Sequence, residues 1–409
     1  MDFFQESITT IHDFCINTED MAGRLHNLSF VRPAVIIIPM LYEEIENESL
    51  PNIINDLNEC NCLKKVIIAL AADNSSQYEH VLNFFNRLKL PNLVVWCNGP
   101  RILAVLNELN EEKSLDVTSF KGKGKDVWIA VGIASLEAYA IGFHDADIVT
   151  YSKAFPVKLL YPIVEPELDF FFNKGYYARV NTEKRKMYGR VYRLFVRPML
   201  ETLQIDVKYE SNILQYLQAF RYTLAGEFAL TCDLALNIRI PGDWGLEVGL
   251  LAEVYRNTTL KRICQTDLGF YDHKHKSMDD DAGEGLCKMV RDILTTFLRI
   301  VTETTETQIS EAFLHSIRVK YKRFAQDVIR QYHADAFSNG LEYNRHQEER
   351  YVDAFSEVIM STGQEYMKNP SGILLPDWTR ALSAMPDLRN KLLNAALTDS
   401  AGYKGATAD

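Results

Sequence analysis

The sequence predicts an α/β fold followed by a helical C-terminal extension. Over the first half of the chain, short runs rich in valine and isoleucine alternate with segments of helical periodicity, as in parallel strands joined by helices. From about Asp280 the strand-like runs stop and long amphipathic helical patterns follow. Because 409 residues exceed one average domain, we expect one large domain with an appendage, or two domains.

Composition and charge narrow the class of protein. Hydrophobic residues make up 47% and charged residues 24% of the chain, as in a soluble globular protein. The net charge of −11 argues against a binder of duplex nucleic acid, although a local basic cluster could still bind a small anion. The N-terminus lacks a signal-peptide pattern, and the early apolar run from Val35 to Leu41 is too short to span a bilayer. Seven cysteines without a CxxC pair fit reduced thiols, so we expect a cytoplasmic protein.

The predicted elements follow in order. Residues 1–30 are predicted to form a helical lead-in. Three apolar runs then predict strands: Ala34–Ile38, Val66–Leu70 and Leu93–Trp96. A helical period links the first two runs, and a second helical face opens at Gly122–Gly124 and ends just before His144. The C-terminal helices are predicted at about 286–300, 313–332, 346–366 and after Pro376, and the last residues are predicted to be flexible.

The segment GFHDADIVTY, from Gly142 to Tyr151, is the most informative stretch for function. Side chains two residues apart on an extended segment point the same way, so Asp145 and Asp147 can face one divalent cation. One carboxylate could instead bind a sugar hydroxyl. Hard cations such as Mg²⁺ take oxygen ligands and keep other positions for water and substrate phosphates, which is the chemistry of a nucleotide-sugar enzyme. Taken alone the pair is a weak signal, because two acidic residues in a turn are usually just solvated.

For each of the other polar segments, two interpretations are open: part of a ligand-binding site, or an ordinary turn. The turns in IIIPMLYEE and AADNSSQ follow predicted strands, where open α/β sheets bind ligands. The basic loop from Lys121 to Lys125 precedes a helix, and its glycines would let backbone N–H groups approach a phosphate, although it is not a Walker A loop. The basic run from Asn181 to Arg197 suits a phosphate or carboxylate ligand. Glu247 at a predicted helix start, and His273 with His275, complete the set of candidates.

Taken in order, these segments resemble the glucosyl-3-phosphoglycerate synthase family over roughly residues 30–280. The ordered set is P-x-L-x-E-E, an Asp/Ser turn, G-K-G, D-A-D, G-R-V, G-E-F, G-L-E-V-G, and L-G with a following histidine. The resemblance implies a GT-A fold, a Rossmann-like mixed sheet with flanking helices that binds nucleotide-diphospho-sugars. It also implies a retaining glycosyltransferase related to mannosylglycerate and mannosyl-3-phosphoglycerate synthases.

The resemblance implies roles for named residues. The donor nucleotide-sugar would contact Pro39, Leu41, Glu43, Glu44, Asp73, Ser75, Lys123, Asp145 and Ala146. The acceptor would contact Gly189, Arg190 and Tyr192, the last at a position where the family has threonine. Mg²⁺ or Mn²⁺ would be bound by Asp147 and His273, with His275 as an alternative to His273. Glu247 matches the acidic residue near the reacting centre.

The implied reaction moves glucose from an NDP-glucose donor to 3-phosphoglycerate, a step toward a compatible solute or a polysaccharide precursor, in an expected homodimer. A mannosyltransferase or a glycerate-accepting relative is the alternative within the fold. A non-catalytic scaffold that binds a sugar nucleotide is the alternative of a different class. We expect the GT-A domain at 31–280, a helical region at 281–395 and a flexible tail at 396–409.

Overall fold

The structure is a computed structural model that describes residues 4–209, 211–242, 245–272, 281–370 and 374–404. The strands are β1 (Thr9–Ile11), β2 (Ala34–Leu41), β3 (Leu63–Ala71), β4 (Asn92–Trp96), β5 (Ala140–Phe143), β6 (Phe172–Ala178), β7 (Val180–Asn181), β8 (Lys186–Met187), β9 (Phe228–Thr231) and β10 (Ile263–Phe270). The first helices are α1 (Thr18–Leu28), α2 (Ser49–Leu57), α3 (Ser75–Phe85), α4 (Pro100–Lys113), α5 (Lys123–Ala134), α6 (Ala154–Val164), α7 (Arg197–Asp206), α8 (Asn212–Ala219), α9 (Cys232–Asn237) and α10 (Leu246–Asn257). The C-terminal helices are α11 (Asp281–Thr304), α12 (Glu311–Ser338), α13 (Arg345–Lys368), α14 (Trp378–Ala384) and α15 (Leu388–Lys404).

The described residues form a mixed sheet in the order β1-β10-β6-β9-β5-β2-β3-β4, with helices on both faces. In this sheet β9 runs antiparallel to β5 and β6, and the remaining pairs are parallel. Strands β7 and β8 pair antiparallel with each other and form a separate hairpin. The start of the antiparallel β9 therefore lies beside the end of β5, with Phe143 opposite Phe228, and beside the middle of β6, with Lys174 opposite Phe228. This brings polar turns from distant parts of the sequence to one edge of the sheet, where α/β proteins bind ligands.

The three strands predicted from apolar runs are confirmed as β2, β3 and β4, and the helical periods are confirmed as α2, α5 and the C-terminal helices. The structure corrects the placement of Pro39, which lies inside β2 rather than in a turn after it. The Ile37 carbonyl accepts a hydrogen bond from His144 N, so the backbone groups of Ile37 point toward β5. Backbone groups two positions apart in a strand point to the same side, so the nitrogen of Pro39 also faces β5. Strand β5 has no partner residue for Pro39, so the missing N–H breaks no ladder bond.

Three further expectations are wrong. The lead-in is not purely helical, because Thr9–Ile11 pair with β10 as an edge strand. The helical run before the Asp pair ends at Ala134, and a separate buried strand, β5, carries the chain to His144. Of the tail predicted to be flexible at 396–409, the part through Lys404 is helical, and residues 405–409 lie outside the described residues. Asp399 in this helix is buried and paired with Arg101.

The C-terminal helices pack on the sheet domain. The ring of Trp378 at the start of α14 stacks on that of Trp128 in α5, with centroids 4.1 Å apart. Each indole N–H donates to a backbone carbonyl across this contact, Trp128 to Pro376 at 2.7 Å and Trp378 to Trp128 at 3.1 Å. Gly132 leaves room for the Trp378 ring, which a side chain there would overlap. No helix in the described ranges is both long and apolar enough to cross a membrane.

We predict that Trp378→Ala lowers the free energy of unfolding by about 3–5 kcal/mol, because it leaves a cavity between α5 and α14. Urea denaturation followed by circular dichroism measures this change. Arg380→Ala, on the exposed face of the same helix, is the control and should change stability by less than about 0.5 kcal/mol. Equal stability of the two variants would contradict this docking.

Candidate active site

An ion cluster around Lys123 joins three parts of the chain. Lys123 is the first residue of α5 and follows Gly122, whose φ of 101° is a conformation that residues with a side chain rarely adopt. Its Nζ donates to Asp145 Oδ1 at 2.7 Å and lies 3.6 Å from Glu247 Oε1. Burial lowers the pKa of Lys123, but the charges of Asp145 and Glu247 outweigh it and raise this pKa above its ordinary value. Lys123 therefore stays an ammonium group at the mouth of the site.

Further carboxylates crowd the same place. Burial, together with the charge of Asp145, raises the pKa of Asp147 to about 6. Burial, together with the charge of Asp147, raises the pKa of Glu44 to about 8. Glu44 is fixed by the Leu41 N–H, which donates to its Oε2 at 2.9 Å. For Asp147, burial and the neighbouring Asp145 outweigh the charges of Lys123 and Arg179, which lower this pKa, so the acids in this cluster are only partly neutralised by the protein.

The chemistry of these side chains fits a divalent metal. Carboxylate oxygens are the ligands that Mg²⁺ and Mn²⁺ prefer, and a cation would relieve the repulsion that raises both pKa values. Within the described residues, no group of three or more His, Cys, Asp or Glu side chains is arranged to hold a metal by itself. His273 and His275, the predicted histidine ligand and its alternative, lie outside the described residues. Water and substrate oxygens are the usual remaining ligands of such ions.

The two predicted nucleotide turns lie side by side, because Leu41 pairs with Ala71 at the ends of β2 and β3. Leu41 and Glu43 are exposed in the first turn, and Asp73 and Ser75 are exposed in the second. The structure thus brings these residues to one open edge of the site. Pro39 and Ala146 are buried behind this edge. Ala146 contributes a backbone carbonyl that accepts from Ser49 Oγ at 3.4 Å.

The predicted acceptor residues differ in accessibility. Gly189 adopts φ 74°, and its carbonyl accepts a hydrogen bond from Arg193 N, which closes a helical turn. This acceptor turn, residues 189–193, carries Arg190. Arg190 is half-buried, whereas Tyr192 is buried and its hydroxyl donates to the Phe220 carbonyl at 3.4 Å. A side chain added at Gly189 would lie 3.6 Å from Cδ of Arg179, whose charge in turn acts on Asp147. Arg179 therefore links the acceptor turn to the carboxylates.

Sequence reasoning assigned no role to two buried charged residues beneath the cluster, although one of them, Glu227, lies in the motif G-E-F. Glu227 is fully buried at the start of β9 and accepts from the hydroxyls of Tyr177 at 2.7 Å and Tyr271 at 3.2 Å. Burial and the charge of Asp145 raise the pKa of Glu227 to about 7. Lys174 is fully buried in β6, where burial lowers its pKa to about 8 and its Nζ donates to the Ala225 carbonyl at 2.6 Å. A single lysine within the apolar run FFNKGYYA was the signal for it.

Two curated relatives that match almost the whole chain carry the same name. No family model matches the chain. The glucosyl-3-phosphoglycerate synthase of Methanococcoides burtonii is 63% identical over 403 residues, which cover 98% of this chain and 99% of that protein. The enzyme of the same name from Persephonella marina is 38% identical over 405 residues, with 98% and 99% covered. Both relatives extend over the helical C-terminal region as well as the sheet domain.

Solved structures support the fold. Glucosyl-3-phosphoglycerate synthase from Mycobacterium tuberculosis, in complex with Mn²⁺, UDP-glucose and phosphoglyceric acid, superposes with a TM-score of 0.52 at 20% identity, covering 73% of this chain and 88% of that chain. The same enzyme with Mn²⁺, UDP and glucosyl-3-phosphoglycerate gives a TM-score of 0.52 at 20% identity, covering 72% and 87%. At this identity the likeness establishes the GT-A fold, as the resemblance implied.

The close approach of Gly226 to Asp145 can be tested by mutation. A Cβ at Gly226 would lie 2.8 Å from Cγ of Asp145, so Gly226→Ala must displace that carboxylate from Lys123. We expect the variant to fold but to lose at least half of the thermal stabilisation that Mn²⁺ with UDP gives the wild type. Gly23→Ala, where nothing lies within 4 Å, is the control. An unchanged thermal shift in Gly226→Ala would contradict the geometry of this site.

Proposed function

The chain belongs to the glucosyl-3-phosphoglycerate synthase family, and we propose that it transfers glucose from an NDP-glucose to 3-phosphoglycerate with retention of configuration. The observation that carries this proposal is the cluster of Lys123, Asp145, Asp147 and Glu247 at the carboxyl edge of the sheet. A decayed, non-catalytic relative would be expected to have lost at least one of these groups. The enzyme is therefore favoured over the scaffold.

The donor would lie along the open edge formed by the ends of β2 and β3. The exposed turn residues there would contact the nucleotide, and Lys123 would pair with the diphosphate. Asp147, with His273, would hold Mg²⁺ or Mn²⁺, which when bound neutralises the charge that builds on the diphosphate leaving group. Lys123 and the N–H groups at the start of α5 would stabilise the same charge electrostatically.

The acceptor would lie beside the donor, at the turn that begins at Gly189. A phosphate and a carboxylate on one small molecule explain a basic segment in a chain of net charge −11. Arg190 would bind one of these anionic groups through paired N–H donors. The homodimer and the cytoplasmic location stay predictions, and gel filtration with light scattering tests the first of them.

Glu247 is the candidate for the acidic residue at the reacting centre. It lies in the first turn of α10 and its carboxylate is 3.6 Å from Nζ of Lys123. We propose that it orients the acceptor hydroxyl or the sugar rather than attacking carbon. Retention would then follow from front-face attack, in which the acceptor hydroxyl enters on the side of the leaving group.

A product assay with Mg²⁺ tests the reaction and the residues together. UDP-glucose, GDP-glucose and GDP-mannose are each combined with 3-phosphoglycerate and with glycerate. We expect turnover with a glucose donor and 3-phosphoglycerate, reduced about 100-fold or more in Asp147→Ala and at least about tenfold in Glu247→Gln. Glu111→Ala, an exposed acid on α4, is the control and should retain full activity.

Three results would overturn parts of this proposal. Preference for GDP-mannose or for glycerate would replace the donor or the acceptor. Near-normal turnover by Glu247→Gln would remove its orienting role. No turnover in any combination, with the nucleotide still bound, would leave a sugar-nucleotide-binding protein.

A further inference from the structure

Helix α13 of the C-terminal region contacts the acceptor turn directly. We propose that Tyr351 and Glu348 on this helix are positioning residues that hold Arg190 and the Gly189 turn in place for the acceptor. This inference rests on the proposed function, because it takes Arg190 as the residue that binds the anionic acceptor. It gives the C-terminal helices a part in substrate recognition in addition to their packing on the sheet domain.

Tyr351 contacts the Arg190 side chain in two ways. Arg190 Nη1 donates to the Tyr351 hydroxyl at 3.2 Å. The Arg190 guanidinium also lies over the Tyr351 ring, with Cζ 5.1 Å from the ring centre. The hydroxyl fixes one nitrogen while the ring face favours the cation, so the two contacts together restrict where the planar guanidinium can lie.

Glu348, one turn earlier on α13, fixes the backbone of the same turn. Its carboxylate accepts hydrogen bonds from both terminal nitrogens of Arg193, at 2.7 and 3.0 Å. The side chains of Glu348 and Arg193 are both buried. Arg193 Nε in turn donates to the Tyr188 carbonyl at 2.9 Å, and Arg193 N donates to the Gly189 carbonyl at 2.9 Å. The buried ion pair thus fixes Arg193, whose side chain holds the Tyr188 carbonyl and whose backbone N–H holds the Gly189 carbonyl.

The connection between α12 and α13 contacts the hairpin that β7 and β8 form. Glu342 N donates to the Arg185 carbonyl at 2.7 Å, and its carboxylate lies 3.7 Å from Nζ of Lys186 in β8. Tyr343 supports the ion pair from the same connection, since its hydroxyl donates to Glu348 at 3.1 Å. The basic segment from Asn181 to Arg197 therefore contacts the C-terminal region in three places: the hairpin of β7 and β8, the acceptor turn, and the side chain of Arg190.

Such support affects binding of the acceptor more than the chemical step. A long, flexible arginine loses side-chain entropy when it binds an anion, and holding it in place beforehand reduces that cost. Within the described residues, Tyr351 makes no hydrogen bond, ion pair or ring contact with the turns at the ends of β2 and β3; its contacts are with Arg190 and Phe355. Removing the Tyr351 hydroxyl should therefore raise KM for 3-phosphoglycerate and leave kcat and the donor KM nearly unchanged.

Steady-state kinetics on the full-length protein test this inference. We expect Tyr351→Phe to raise KM for 3-phosphoglycerate about three- to tenfold, and Tyr351→Leu to raise it further because the ring face is lost as well. The donor KM and kcat should stay within about twofold in both variants. Tyr366→Phe is the matched control, because it removes a hydroxyl on the same helix that donates to Thr302 Oγ1 at 3.0 Å, away from the acceptor turn.

Arg190→Ala separates the two claims. If this variant raises KM for 3-phosphoglycerate while both Tyr351 variants match Tyr366→Phe, the acceptor assignment stands and the positioning role of α13 is overturned. If Arg190→Ala leaves that KM unchanged, the acceptor assignment fails and the inference fails with it. An equal fall in kcat for Tyr351→Phe and Tyr366→Phe would indicate a general structural role and would also overturn the inference.

Discussion

The carboxylates at the ends of β2 and β5 are the constraint on which the rest of the site depends. Glu44 and Asp147 have raised pKa values because burial and mutual repulsion disfavour their charged forms. Lys123 offsets part of this charge through Asp145. The remaining negative charge favours binding of a divalent cation. The bound cation in turn favours binding of the negatively charged diphosphate. Gly226 belongs to the same arrangement, since only a residue without a side chain can pass so close to Asp145.

The C-terminal helices support this arrangement from two directions. Helix α14 stacks Trp378 on Trp128 in α5, the helix whose first residue is Lys123. Helix α13 contacts the segment that carries Arg190. These contacts place α13 and α14 against the sheet domain of the same chain. The C-terminal region is part of the folded unit that carries the site.

Much of the fold and of the candidate site could be predicted, for physical reasons. Apolar runs such as Val66–Leu70 identify buried parallel strands, and the order of motifs identified the family before any geometry was known. Strand β5 was missed because only residues 135–139 separate its four apolar residues from an apolar helix, and the apolar side chains within that link hide the boundary from a reading of periodicity. Glu227 and Lys174 were missed as site residues because a charge buried within a sheet is recognised only once its neighbours are known. The end of helix α15 was predicted to be flexible because its sequence is polar. The contact of Asp399 with Arg101, which is distant in sequence, could not be seen from that segment.

Calorimetric titration of UDP into the protein, with and without Mn²⁺, tests the central claim most directly. If the carboxylates bind a cation that in turn binds the diphosphate, Mn²⁺ should raise the affinity of the wild type for UDP at least about tenfold, or ~1.4 kcal/mol. Asp147→Asn should abolish that gain, and Asp233→Asn, at an exposed position on α9, should retain it. Equal affinity for UDP with and without Mn²⁺ in the wild type would contradict the claim that charge at the ends of β2 and β5 builds a metal-dependent donor site.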